Sequence, residues 1–499
     1  MDIQCNQGSI QDSTADTIIV NLFEGVTSPG GATGAVDRAL GGAISELIAN
    51  GDMKGKVKEV GVLYPRGVIP AKRVLVVGLG GADELDLEAV RRGASTAMRK
   101  ARDLNAKNVA TIVHGGGIGG LPVADAAQAT VEGSLLGIYE YAAPGKKQER
   151  KNPVQSLTLI EFDASKFSQV EAGARMGETI SKGVYLVRDL VNMPPNVVTP
   201  TRLAAVAREI AEAYNMALTV GDVAWAEERM MGSYLAVAKG AGEPPKFIVL
   251  EHNAGRSDMD TIVLVGKGIT FDTGGISLKP AERMDDMKSD MAGAAAVLAT
   301  MKVAGELKLP LHLVGITPCT ENMPDAQAYH PADVITASNG KTIEIISTDA
   351  EGRLILADAL VYASRYNPKA VVDLATLTGA CVTALGLWVA AGVFCTDEWL
   401  QKKLVASGQT TFERVWPMPL YDDYKRKIKS LVADMMNSGG RNSGVGSSAI
   451  FLKEFTDYPW AHVDMAGMVL IEKKHETPYT FQGATGFGVR LLVDFLRNW

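Results

Sequence analysis

Hydrophobic and polar positions alternate along this chain between two spacings. Short, nearly continuous apolar runs of the kind that make buried strands are separated by longer stretches with helical spacing. In the first third, 17–23, 73–78, 109–114 and 157–162 read as strands, and 35–49, 87–104 and 123–141 read as helices between them. A helix from about 166 to 190 then runs into Val191-Asn-Met-Pro-Pro-Asn196, where the double proline ends it and marks a domain boundary. Beyond it, strands are expected at 247–251, 261–265, 311–317, 343–346, 370–374, 389–394 and 461–464, and helices at 291–305, 355–365 and 487–497. No internal repeat is evident. The alternation predicts an α/β protein of two domains, each a mainly parallel or mixed sheet flanked by helices, joined by a linker helix. The boundaries are 1–164 for the N-terminal domain, 165–195 for the linker and 196–499 for the C-terminal domain.

One apolar stretch could disturb this picture. Residues 375–395 carry no charge, and their length would cross a bilayer. Three glycines and three threonines interrupt the run, so it reads as buried core with a strand at its end rather than a membrane span. The start, Met1-Asp-Ile-Gln-Cys-Asn, lacks the basic and apolar regions of a signal peptide. The four cysteines, at 5, 319, 381 and 395, show neither metal spacing nor a disulfide framework. Both features predict a cytoplasmic protein. A net charge of −7 gives no electrostatic reason to expect nucleic acid.

The candidate chemistry sits in two clusters. Ser347-Thr-Asp-Ala-Glu-Gly-Arg-Leu354 follows an apolar run. Read as extended chain, it points Asp349, Glu351 and Arg353 to one side. About eighty residues upstream, Lys267 and Asp272 lie just past a predicted strand, among glycines that allow tight turns, and Asp290 precedes a predicted helix. Open α/β sheets place ligands outside the carboxyl ends of their strands, so Lys267, Asp272, Asp290, Asp349 and Glu351 can reach one crevice. No Gly-Lys-Ser/Thr closes the glycine-rich turn, which excludes a nucleotide P-loop. None of the six histidines forms a His-Glu-x-x-His pair, which excludes that single-zinc protease class. His462 reads as a satisfied structural histidine.

These segments resemble the leucine aminopeptidases, also called cytosol aminopeptidases. The family signature is Asn-Thr-Asp-Ala-Glu-Gly-Arg-Leu, and this chain matches it except at Ser347. A seven-residue match has chance odds on the order of 10⁻⁷ in a chain this long. The resemblance extends over 265–280, 287–293, 373–380, 460–467 and 483–486, and is fainter over the first 160 residues. It implies two divalent ions per subunit, manganese or zinc. One would be held by Lys267, Asp272, Asp290 and Glu351. The other would be held by Asp272, Asp349 (with its backbone carbonyl) and Glu351. Lys279 and Arg353 fall at the two catalytic positions, with a bicarbonate ion at Arg353 as general base. Met287, Thr376, Gly379 and Ala466 fall at positions lining the side-chain pocket. The resemblance also implies peptide substrates, a leucine-like preference and a homohexamer.

Two other functions compete with that reading. One is a different dinuclear hydrolase such as a phosphoesterase, though such sites are usually richer in histidine. The other is a binding scaffold or an added role on DNA, which no basic patch supports. Three loops complete the reading. Residues 145–153 form a polar surface loop. Residues 438–448 form a mobile loop near the site mouth, with no strand before them and no acid after them to make a dinucleotide fingerprint. The glycine-rich 114–120 follows a strand and could bind an anion, but reads as a plain strand-to-helix connection.

Overall fold

The computed structural model describes residues 1–143, 154–440 and 444–499. The expected loop 145–153 lies outside these residues, as does 441–443 of the loop 438–448. The chain divides into two compact units, Met1–Tyr185 with Glu472–Gln482, and Leu186–Ile471 with Gly483–Trp499. One continuous helix, Phe167–Asn192, carries the chain from the first into the second, and ends where the prolines forbid its continuation. No helix among the described residues is long and apolar enough to cross a membrane.

The first unit contains a six-stranded sheet of β1 (Asp2–Gln7), β2 (Thr17–Leu22), β3 (Val60–Leu63), β4 (Arg73–Gly78), β5 (Asn108–Ile112) and β6 (Ser156–Glu161). The order is β1-β6-β5-β2-β4-β3, and every pair is parallel except β3 with β4. Successive residues on a strand face opposite sides. Ile19, Leu75 and Val77 therefore join one core cluster, while Ile18, Val20, Val74 and Val76 join the other. Burial on both faces explains why these strands read as unbroken apolar runs. The helix expected over 35–49 is two helices, Gly31–Ala39 and Ala43–Ala49. Gly41 and Gly42 interrupt it with φ of +66° and +92°, in the left-handed region a continuous helix does not use.

The second unit contains a nine-stranded mixed sheet: β7 (Ala217–Gly221), β8 (Lys246–His252), β9 (Thr261–Gly266), β10 (Gly268–Asp272), β11 (His312–Asn322), β12 (Ala370–Ala375), β13 (Ala391–Cys395), β14 (Val415–Pro417) and β15 (Trp460–Asp464). The order is β14-β13-β15-β12-β9-β11-β8-β7, with β10 beside β11. The central strands β15, β12, β9 and β11 run parallel, so their carboxyl ends share one edge. The helices Ala292–Leu307 and Gly352–Ala363 are almost entirely buried. The uncharged stretch 375–395 is only partly core. Ala375 and 391–394 are buried, but Leu387 and Val389 are 40% and 51% exposed, and a short helix, Gly379–Leu385, lies between. The run expected as strand 343–346 forms only a three-residue strand, Thr342–Glu344, in a separate small sheet.

Candidate active site

The carboxyl edge of the central sheet gathers the polar residues. Lys267 occupies the single step between β9 and β10, and Asp272 ends β10. Asp290 closes a short 3-10 turn, Met284–Ser289, before the helix that begins at Ala292. It does not cap that helix. Its Oδ1 accepts from Thr376 Oγ1 at 2.6 Å, just past the end of β12. The signature segment departs from the extended form expected of it. Asp349 lies in a turn and Glu351 has helical dihedrals (φ −75°, ψ −37°), so Arg353 already belongs to the helix Gly352–Ala363. The helix starts three residues earlier than its apolar spacing suggested because Gly352 and Arg353 extend its first turn.

Carboxyl oxygens of Asp272, Asp290 and Glu351 all lie within 4.8 Å of one another, and all three residues are buried. Lys267 Nζ stands among them, 2.7 Å from Asp290 Oδ2 and 2.8 Å from Glu351 Oε1, and donates to Thr376 O at 3.0 Å. Apart from this ion pairing, neither of these two buried oxygens has a hydrogen-bond partner. Lys279 pairs with Asp272 Oδ2 at 2.9 Å and with Asp349. Four carboxyl groups thus face two ammoniums, a surplus of two negative charges when all four are ionised. Burial pushes the carboxyls of Asp290 and Glu351 above their ordinary range, and Asp272 beside Glu351 adds to this. Burial also disfavours the charge of Lys267, but Asp290, Glu351 and Asp272 outweigh it and hold its ammonium above the usual lysine range. Lys279 is held high in the same way by Asp272, Glu351 and Asp349. A buried anionic cluster of this kind is tolerable only with cations beside it. Hard oxygen donors with one amine suit a divalent ion of the manganese or zinc type. The donor set, the surplus charge and the two unfilled oxygens all fit such ions.

Arg353 is 7% exposed; its Nη1 donates to Asn437 O at 2.7 Å and its Nε has no partner. Burial lowers its pKa to about 10, so it remains charged at neutral pH. A buried guanidinium with an unused donor is a fork suited to a small oxyanion.

The expected pocket residues come partly together. The amides of Leu377, Thr378 and Ala466 all donate to Asp464 Oδ1, at 3.2, 3.4 and 3.3 Å. Thr378 Oγ1 donates to Asp464 Oδ2 at 2.6 Å and caps the helix that Gly379 opens. Asp464 therefore fixes the segments carrying Thr376, Gly379 and Ala466 to one another. Met287 is half-buried in the turn that delivers Asp290.

Several supporting residues lay outside the sequence reading. Asn322 Nδ2 donates to Asp272 Oδ1 at 2.8 Å and to Thr348 O at 3.0 Å. Thr348 Oγ1 donates to Gly274 O at 2.6 Å and accepts from Ser277 N at 2.8 Å, joining the two motifs. Gly275 has φ +65°, and a Cβ there would meet Asn322 Oδ1 at 2.9 Å and Thr348 Oγ1 at 3.0 Å. That glycine explains why the turn after Asp272 is glycine-rich. Asn437 Nδ2 donates to Ser347 O at 2.7 Å, and Ser347 Oγ accepts from Asp349 N at 3.3 Å. The one departure from the signature thus lies in the turn's own hydrogen bonding.

The sequence matches the cytosol aminopeptidase family catalytic domain over residues 185–493 and that family's N-terminal domain over 19–144. A probable cytosol aminopeptidase of Roseiflexus castenholzii is 42% identical over 100% of this chain and 99% of its own length. The chain belongs to the cytosol aminopeptidase family. Another relative, the probable cytosol aminopeptidase of Syntrophotalea carbinolica, is 44% identical over 93% of each chain. Among solved structures, a mutant of tomato leucine aminopeptidase is similar with a TM-score of 0.86 and 33% identity, over 100% of this chain and 97% of that one. The bottromycin maturation enzyme BotP in complex with Mn is similar with a TM-score of 0.84 and 32% identity, over 97% and 99%. The protein is therefore a divalent-metal-dependent aminopeptidase, a hydrolase that removes N-terminal residues, and it carries a buried carboxylate cluster able to hold a metal ion.

Proposed function

We propose that this enzyme is a two-metal aminopeptidase of the cytoplasm that releases leucine-like N-terminal residues from peptides. The observation that carries this is the gathering of three buried carboxylates within 4.8 Å, with unfilled oxygens on Asp290 and Glu351. Asp272, Asp290, Glu351 and Lys267 would hold one ion, Lys267 as the neutral amine once the cation displaces its proton. Asp272, Glu351 and Asp349, with the Asp349 carbonyl, would hold the other. Manganese or zinc, when bound, supplies Lewis acidity toward the scissile carbonyl and a water activated for attack.

The chain's own groups do the rest. Lys279, held charged by its acidic neighbours, faces the oxyanion that develops on the carbonyl. Arg353 holds a bicarbonate ion, which stands in for a side-chain base. Met287, Thr376, Gly379 and Ala466 form the wall against which the N-terminal side chain packs. Two compact units dividing within the helix Phe167–Asn192 support an N-terminal domain of 1–164, a linker of 165–195 and a catalytic domain of 196–499. The family resemblance supports a homohexamer, which light scattering would test.

The deciding experiment is hydrolysis of a leucine anilide with added Mn²⁺ or Zn²⁺. Turnover with either ion, abolished in Glu351→Ala, is expected. No turnover with both ions, or undiminished turnover in that variant, refutes the reading.

A further inference from the structure

The first unit holds a cavity of about 410 Å³ that the aminopeptidase reading does not use. It lies at the carboxyl ends of β2, β5 and β6. The sheet order places β2 next to β5. From β2 the chain goes on to β3 and β4 on one side, and from β5 it crosses to β6 on the other. This is a topological switch point, where open parallel sheets leave a crevice for ligands. The volume is that of a small-molecule pocket.

The walls have three kinds of chemistry. The first is a double row of backbone amides. Segment 28–33 opens the nine-residue helix Gly31–Ala39, and the glycine-rich loop 115–119 faces the same cavity. Among the described residues, the amides of Gly31, Ala32 and Thr33, and of Gly117, Ile118 and Gly119, donate no hydrogen bond within the chain. Such amide rows bind phosphate. Lys166, which also lines the cavity, adds a cation. The second is an acid, Glu161, at the end of β6, placed where dinucleotide-type folds take ribose hydroxyls. One of its oxygens accepts from Asp163 N at 2.8 Å. The third is apolar. Phe162 and Ile118 line the cavity yet are 78% and 76% exposed. Large apolar side chains left in solvent beside a cavity offer a stacking surface for a flat ring.

We propose that this cavity binds a nucleotide, with phosphate on the amides of 31–33 and 117–119, ribose at Glu161 and base against Phe162. The site is separate from the carboxylate cluster and does not depend on its assignment.

The test is isothermal calorimetry on the full-length, metal-loaded protein with ADP, adenosine and inorganic phosphate. Phosphates also bind metal ions, so two variants of the cavity decide the outcome. A Cβ at Gly117 meets nothing within 4 Å, so Gly117→Asp is accommodated while placing a carboxylate against the phosphate. Phe162→Ala removes only an exposed ring. ADP is expected to bind the parent protein at least tenfold more tightly than adenosine or phosphate alone. Gly117→Asp and Phe162→Ala should each weaken ADP by about tenfold or more. Leucine-anilide turnover should be unchanged in both, showing that they fold. Absence of ADP binding at millimolar concentration, ADP binding undiminished in Gly117→Asp, or phosphate binding as tightly as ADP would each overturn the proposal.

Discussion

Replacing Gly352 by alanine should damage the active site while leaving the fold intact. Gly352 opens the helix Gly352–Ala363 and is helical, so alanine there gains up to about 1 kcal/mol of helix propensity. A Cβ at this position would lie 2.5 Å from Lys267 Cε, 2.6 Å from Nζ and 2.8 Å from Cδ. Carbon atoms in good contact sit at roughly 3.5–4.0 Å, so the lysine must retreat by about 1 Å. It has no slack. Lys267 is 3% exposed, paired with Asp290 and Glu351, and donates to Thr376 O. A displacement of about 1 Å in a catalytic constellation costs on the order of 10²-fold in rate. The assay is kcat/KM for a leucine anilide, together with bound metal by mass spectrometry and the thermal midpoint. The expected result is an activity loss of about 10²-fold, lowered metal content, and a midpoint equal to or above that of the parent. Parent-level activity and metal content in Gly352→Ala would refute the placement of Lys267 against this helix start. A collapsed midpoint would refute the claim that the damage is confined to the site.

Other perturbations separate the remaining roles. Lys279→Ala should lower kcat by about 10²- to 10³-fold with metal content near that of the parent, measured by steady-state kinetics and metal analysis; loss of metal would show that Lys279 holds the carboxylates in place instead. Gly379→Leu adds bulk where a Cβ meets nothing within 4 Å, so the protein should fold normally while kcat/KM for leucine falls at least tenfold relative to alanine substrates. His114, fully buried beside Thr111 and Asn21, has its pKa lowered by burial to about 4. Its native state is neutral, so its contribution is complete above pH 6.5 and is lost as pH falls toward 4. The loss is on the order of 3 kcal/mol. Denaturant unfolding over that range should show it, and His114→Gln should flatten the slope.

The fold was legible where strands are buried on both faces, because such strands are unbroken apolar runs. It was less legible at the edges. β1 buries none of its residues fully and carries polar residues throughout, so no run marks it. The helix Pro200–Tyr214 carried a readable start that the apolar spacing did not emphasise. Thr199 caps it by accepting from Arg202 N at 3.3 Å, and Pro200 takes the first position, where a missing amide costs nothing. The site was legible as far as its acids are local: Asp349, Glu351 and Arg353 fall within five residues. Asn322, Asn437 and Asp464 were not, because the contacts that tie them to the two motifs and to the segment after β12 span 26 to 91 positions in sequence.

Acids of identical chemistry can differ wholly in role, and partners decide which. Asp373 belongs to a segment carrying the family resemblance and lies on β12 beside Val265, two residues short of Lys267 at the carboxyl edge. Yet both of its oxygens are satisfied. Oδ1 pairs with His462 Nδ1 at 2.6 Å, and Oδ2 accepts from Trp460 Nε1 at 2.7 Å, with all three residues at most 1% exposed. Burial opposes a charge on His462, but Asp373 outweighs it and raises the histidine's pKa, so the pair joins β12 to β15 with both Asp373 oxygens used, although His462 Nε2 has no hydrogen-bond partner. Asp290 is equally hidden, but one of its oxygens has an ammonium nearby and no hydrogen bond. A buried carboxylate left incomplete by its own chain costs stability unless something else completes it. The unfilled oxygens of Asp290 and Glu351, rather than acidity alone, support the metal site proposed for them, and the filled oxygens of Asp373 fit a scaffold role.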